Sequence, residues 1–337
     1  HMNINYIKEI NESRVYDVAT RTPISLLNKM SFQYGNEIYL KREDLQPIFS
    51  FKCRGAYNKI SSLSHEERAS GIIAASAGNH AQGVALSASK LNIEATIVMP
   101  TTTPSIKIQS VRKFGVKVEL IGDSFDEAYE YALEVSRKEG KVFIHPFDDP
   151  LVIAGQGTVA KEIVEEFQDK PDIFFIPVGG GGLISGMSLY LKTHYPNSKV
   201  YGVESQDAPT LFTSLENGKP TSLDQVGLFV DGCAVKRIGE ETFKISKKYV
   251  DGVILVSIDE ICAAIKDIYE DTRVMSEPAG ALSVAGMEKF LLSNEVKGKK
   301  IMAVNSGANL NFDRLRHVTE RAEIGEGKEI LLSVKIP

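Results

Sequence analysis

From Gly71 onward, short β-branched runs alternate with stretches of helical periodicity, and that alternation leaves few folds open. Residues 72–76, 95–99, 117–121 and 142–144 read as strands, with helices expected at 80–91, 105–114 and 125–139. A second series follows, with a helix near 153–167 and strands at 173–178, 199–204, 253–256 and 301–305. Strand, helix, strand in this order implies mostly parallel, twisted sheets covered by helices on both faces. Two such series predict an α/β protein of two lobes with a cleft between them.

The helix expected after Ser257 carries Ile258, Ile261, Cys262, Ile265, Ile268 and Tyr269 at 3.6-residue spacing, which makes Cys262 a packing residue. Residues 323–328 read as a polar, glycine-bearing linker, and 329–337 as a strand that stops abruptly. The initial His1-Met2 reads as a cloning scar.

The 337 residues are 43% apolar and 25% charged with a net charge of −5, and no apolar run reaches the roughly 18 residues that would span a membrane. A mildly acidic chain without clustered Lys and Arg offers nothing to a phosphate backbone, so nucleic acid is not an expected partner. Cys53, Cys233 and Cys262 are far apart and odd in number, which supports neither a disulfide framework nor a C-x-x-C metal site and fits a reducing cytoplasm.

Three short stretches carry chemistry. Ile173-Phe-Phe-Ile-Pro-Val-Gly-Gly-Gly-Gly-Leu183 runs a buried strand through four glycines into a helix. Glycines let a backbone approach an anion closely, and a helix N-terminus adds a favourable field, so the loop suits a phosphate; a tight turn without a ligand is the alternative. Ala75-Ser-Ala-Gly-Asn-His-Ala-Gln-Gly83 offers small residues and backbone N–H groups that would receive a carboxylate, or else a Ser76 or Asn79 helix cap, with His80 capping or core-facing. Asn305-Ser-Gly-Ala-Asn309 places a neutral hydroxyl after a strand, where it would face a ring nitrogen or simply turn the chain.

In Ser50-Phe-Lys-Cys-Arg-Gly-Ala-Tyr-Asn-Lys-Ile60, Ser50 reads as an N-cap, which puts Lys52 in the first helical turn. The helix field there disfavours an ammonium, and desolvation would enlarge the neutral fraction that attacks an aldehyde. Read alone, Lys52 is one solvated cation among 39 basic residues.

Together, a primed amine, a phosphate cradle and a carboxylate site are what a pyridoxal phosphate enzyme needs. Ser50-Phe-Lys-Cys-Arg-Gly-Ala56, Ser76-Ala-Gly-Asn-His80, Gly179-Gly-Gly-Gly-Leu183 and Ser306-Gly-Ala-Asn309 resemble, in order, the signature segments of fold-type II pyridoxal phosphate enzymes. Within that tryptophan synthase β-like group they are similar to the threonine deaminases, over roughly residues 4–337. The resemblance implies a large lobe of residues 1–70 and 151–325, a small mobile lobe of 71–150, and the start of a linker or regulatory region at 326–337. It also implies that Lys52 carries pyridoxal 5'-phosphate as a Schiff base with Phe51 beside the ring. Asn79 would bond the ring's 3-oxygen, Gly179, Gly180, Gly181, Gly182 and Leu183 the phosphate, and Ser306 the pyridine nitrogen. The backbone of Ser76, Ala77, Gly78, Asn79 and His80 would hold the substrate carboxylate. The implied reaction is β-elimination from L-threonine to 2-oxobutanoate and ammonia, the first step of isoleucine biosynthesis, with L-serine giving pyruvate, in a homodimer or homotetramer.

Serine racemases of this fold carry Ser where this chain has Ala77, which argues against racemisation. Residues 226–239 and 309–323 look like the biosynthetic branch, whose members continue into ACT-like regulatory domains. Glu204 and the backbone near Ala208 fall where some relatives hold a cation, but Thr210 replaces an acidic ligand and Glu204 is expected to be a surface carboxylate. Asp148-Asp149 is expected to be a solvated loop, and Phe147 and Gln156 are candidate pocket residues. The rivals are serine dehydratase, serine racemase, and a non-catalytic sensor of a phosphorylated ligand.

Overall fold

The structure is a computed structural model that describes residues 3–326. Its strands are β1 (Ile24–Leu26), β2 (Glu37–Arg42), β3 (Ile72–Ala75), β4 (Ala95–Met99), β5 (Lys117–Leu120), β6 (Val142–Phe143), β7 (Ile173–Pro177), β8 (Lys199–Ser205), β9 (Gly252–Val256) and β10 (Lys300–Asn305). They form two sheets. One runs β5-β4-β3-β6 and is parallel throughout; the other runs β1-β2-β10-β7-β8-β9 and is parallel except for β1.

Alternate residues of single strands feed separate apolar clusters. Phe175, Ile301 and Ala303 pack on one face of the larger sheet, and Phe174, Ile176, Met302 and Val304 on the other. In the smaller sheet, Ile72, Ala74 and Ile97 are separated in the same way from Ile73, Ala75 and Val98. Both sheets are therefore covered on two sides, as the continuous apolar runs require.

The expected strand and helix limits hold to within three residues. The largest difference is the helix Pro150–Glu166, expected from Ile153. Asp149 caps it through the N–H groups of Leu151 and Val152, with Pro150 in the first turn. In Ile258–Thr272 a Ser257–Glu260 capping box sets the start, and Ile261, Cys262, Ile265 and Ile268 are buried. Tyr269 is not: it is 40% exposed, 5.7 Å below the Arg273 guanidinium. Of the linker expected at 323–328, residues 323–325 are instead the end of a helix, Leu315–Gly325; residues 327–328 and the strand expected at 329–337 lie outside the described residues.

Sequence reading passed over β1 and β2. β2 lies between β1 and β10, and it ends in two cations, Lys41 and Arg42, that are buried in the fold. Lys41 Nζ donates to Glu162 at 2.7 Å and to the Thr22 carbonyl at 2.6 Å. Glu162 also receives Arg54 Nη1 at 2.5 Å, and Arg54 Nε donates to Glu43 at 2.5 Å. All four side chains are fully buried.

Arg54 belongs to the helix Lys52–Ser61, so this cluster pins that helix to β2 and to Pro150–Glu166. The latter helix packs in turn on Gly182–His194 with no room for a side chain, because a Cβ on Gly186 would collide with the Ile153 carbonyl.

Burial alone would raise the Glu162 carboxyl, but its bonds to Arg54 and Lys41 outweigh that and hold it down at about 2. Because this lies below the value in an unfolded chain, the stabilisation is complete above about pH 4.5 and is lost as pH falls toward 2. Arg54→Met leaves the buried Glu43 without a cation and Glu162 with Lys41 alone, and urea unfolding at pH 7 is expected to show a loss of about 3–5 kcal/mol. The gap between variant and parent should shrink at acid pH.

Candidate active site

Three of the stretches singled out for chemistry end up at the carboxyl ends of parallel strands. Asn79 starts a helix shortly after β3, the four glycines follow β7, and Ser306 follows β10. A cavity brings together Phe51, Lys52, Asn79, Gly179, Gly180, Gly181, Gly182, Leu183 and Ser306. Phe147, Gly232, Cys233 and Glu277 also line it, and sequence reasoning assigned no role to the last three. Glu277 stands directly before Pro278 at a helix start, and its side chain makes no cap bond.

The helix at the cavity begins at Lys52, one residue after Phe51, and Ser50 Oγ accepts the Lys52 N–H at 3.4 Å. Lys52 Nζ donates to the Pro146 carbonyl at 3.2 Å and lies 5.4 Å from the Phe51 ring centroid. Part of the side chain opens onto the cavity, while the protein packed around the amine strips its water. Burial lowers its pKa to about 8, against weaker opposition from Cys233 and Glu277. The helix N-terminus acts in the same direction, but desolvation is the leading cause.

The glycine loop is a set of donors. The N–H groups of Gly180 to Leu183 meet no acceptor among the described residues, as expected for the open first turn of Gly182–His194. The glycines are also demanded by the protein itself. A Cβ on Gly180 would overlap the ring of Phe147, and Gly181 has φ of +96° with Thr242 against it. Thr242 Oγ1 donates to the Gly180 carbonyl at 2.7 Å.

In the loop before Asn79–Leu91, Ser76 Oγ accepts from Gly78 N at 3.1 Å and from Ala81 N at 3.2 Å. The N–H groups of Asn79 and His80, in the first helical turn, have no acceptor among the described residues. Ser76, Ala77, Gly78 and His80 stand beside the cavity rather than on its wall. His80 Nε2 lies 2.9 Å from the Ile144 carbonyl and so carries the proton. Burial, then Lys52, lowers its pKa to about 3, so the ring is neutral and core-facing.

Three expectations need correction. Glu204 is no surface carboxylate: it is fully buried and accepts from Leu211 N at 2.7 Å and Phe212 N at 3.0 Å, capping Thr210–Asn217. Burial raises its carboxyl to about 7, and no group of three or more His, Cys, Asp or Glu that would hold a metal occurs among the described residues. Asp148 and Asp149 are not a solvated pair. Asp148 accepts the N–H groups of Glu240, Glu241 and Thr242, and Asp149 caps the next helix while pairing with Lys59 at 2.9 Å. Gln156 is off the cavity; its Oε1 accepts Gly55 N at 3.0 Å, which packs it against the Lys52 helix.

The donor set fits pyridoxal phosphate. A buried amine with lowered basicity, a cradle of open N–H groups, an amide and the Ser306 hydroxyl, which bonds no other described side chain, surround one space.

Comparison with known proteins agrees. Residues 15–307 match the profile of the family described as "Pyridoxal-phosphate dependent enzyme". The chain is 54% identical over 332 residues to the biosynthetic L-threonine dehydratase IlvA of Pasteurella multocida, covering 98% of this chain and 64% of that protein. It is 48% identical to the Escherichia coli enzyme of the same name, again covering 98% and 64%. This chain thus spans a little under two thirds of those relatives. The solved structure of the processed form of threonine deaminase isoform 2 from Solanum lycopersicum superposes with a TM-score of 0.92 at 49% identity, covering 94% of this chain and 92% of that one. Maize serine racemase gives 0.87 at 30% identity, covering 96% and 99%. The chain belongs to the family of pyridoxal-phosphate dependent enzymes.

Proposed function

We propose that this chain is the catalytic portion of a threonine ammonia-lyase that converts L-threonine to 2-oxobutanoate and ammonia, and L-serine to pyruvate. The observation that carries the proposal is the desolvated Lys52 amine in a cavity walled by an open N–H cradle. The names of the relatives at 48–54% identity, biosynthetic L-threonine dehydratases, support the substrate, and the first step of isoleucine biosynthesis is the role proposed with it.

When bound, pyridoxal phosphate supplies an electron sink for the charge left at the substrate's Cα. Gly179 to Leu183 would hold its phosphate through backbone N–H groups, Phe51 would stand beside its ring, and Asn79 would donate to its 3-oxygen. Ser306 would offer the ring nitrogen a neutral hydroxyl rather than a carboxylate, which would leave that nitrogen largely unprotonated and favour loss of a β-hydroxyl over transamination. The N–H groups beside Ser76 to His80 receive the substrate carboxylate. Lys52 Nζ takes the Cα proton, a task suited to an amine with pKa near 8. Ala77 has no group to deliver a proton to the opposite face, which separates this site from racemisation. Residues 71–150 act as a smaller, mobile lobe, and the protein works in the cytoplasm as a dimer or tetramer.

Incubation with pyridoxal phosphate and L-threonine or L-serine, following 2-oxoacid and D-serine, tests the reading. Oxoacid from threonine without D-serine is expected, and its absence refutes the proposal. Lys52→Ala should lose on the order of a thousandfold in rate.

A second check uses pH. Capture of added pyridoxal phosphate by cofactor-free protein, followed by absorbance, should quicken as pH rises through about 8, where Lys52 loses its proton.

A further inference from the structure

The Asn79 side chain has no freedom of orientation, and Glu277 is one of the two residues that take it away. The Ile48 carbonyl only accepts, so the Asn309 atom 2.9 Å from it is Nδ2. That nitrogen also donates across 2.6 Å to Asn79, which makes the receiving atom Oδ1. Asn79 Nδ2 then donates to Glu277 Oε1 at 2.7 Å. One N–H of the Asn79 amide is left for the cavity, while the amide oxygen is turned toward Asn309.

Glu277 is 4% exposed and lies on the cavity wall with Lys52. Its position is enforced, because a Cβ on Gly307 would collide with the Glu277 carboxylate. Burial, then Asp231, pushes its carboxyl up to about 7. Either protonation state keeps an acceptor oxygen for Asn79.

We propose that Glu277 is a positioning residue, holding the Asn79 amide as a pure donor toward the anionic 3-oxygen of the cofactor. This rests on the reading that the cavity holds pyridoxal phosphate. A carboxylate this close to an anionic oxygen is otherwise an unfavourable neighbour, and the bond to Asn79 gives it a purpose. It also separates two roles by chemistry: any acceptor of the same shape serves, and charge is dispensable.

The test is titration of cofactor-free protein with pyridoxal phosphate, reading the dissociation constant and the absorption spectrum of the bound form. Glu277→Gln keeps an acceptor and is expected to stay within about threefold of the parent with an unchanged spectrum. Glu277→Ala leaves a buried N–H without a partner and should weaken binding by about tenfold or more, with an altered spectrum. Equal behaviour of the two variants, whether both match the parent or both weaken alike, overturns the inference. If thermal melting shows Glu277→Ala unfolded, Asn309→Ala replaces it: removing the donor to Asn79 Oδ1 should weaken binding several-fold, and unchanged binding overturns the inference. A parent protein that takes up no pyridoxal phosphate sinks the cofactor reading itself, so the two failures are distinguishable.

Discussion

A guanidinium with no water around it must find its whole solvation in protein, and Arg54 does so on Glu43, Glu162 and Thr158. Because Glu162 also takes Lys41, the cluster binds together β2, the Lys52 helix and Pro150–Glu166. Buried ion clusters contribute little net stability when complete and cost much when broken. Their value here is geometric: two residues from Arg54, the Lys52 side chain enters the cavity from a helix that has nowhere else to sit.

The remaining walls follow from parallel strands, whose carboxyl ends gather at one edge of each sheet. A segment leaving β3 meets segments leaving β7 and β10, so residues more than two hundred positions apart become neighbours. Asn79 and Asn309 show this most directly, touching at 2.6 Å across the gap between the two sheets.

Most of this was legible in the chain. Period-two and period-3.6 patterns locate elements because burial selects apolar residues at those intervals, and Gly179 to Gly182 announce a close backbone approach. What escaped was fixed by the fold rather than by the local pattern. β2 went unread, and its charged Lys41 and Arg42 are buried on Glu162 and Asp44. Glu204 looked like a surface acid until the helix end it caps folded over it. Glu277 drew no reading and is a wall of the cavity, bonded to Asn79. A polar side chain carries no period in the sequence that says which group will satisfy it once the chain has folded.

The contact between Lys52 and the Pro146 carbonyl links shape to charge. The same loop carries Phe147, whose ring rests on the glycine cradle, so the loop is part of the wall around an amine that burial lowers to about 8. Trimming the Phe147 ring would let water toward that amine and return it toward an ordinary ammonium, so a side chain that touches the phosphate cradle also bears on the basicity of the lysine.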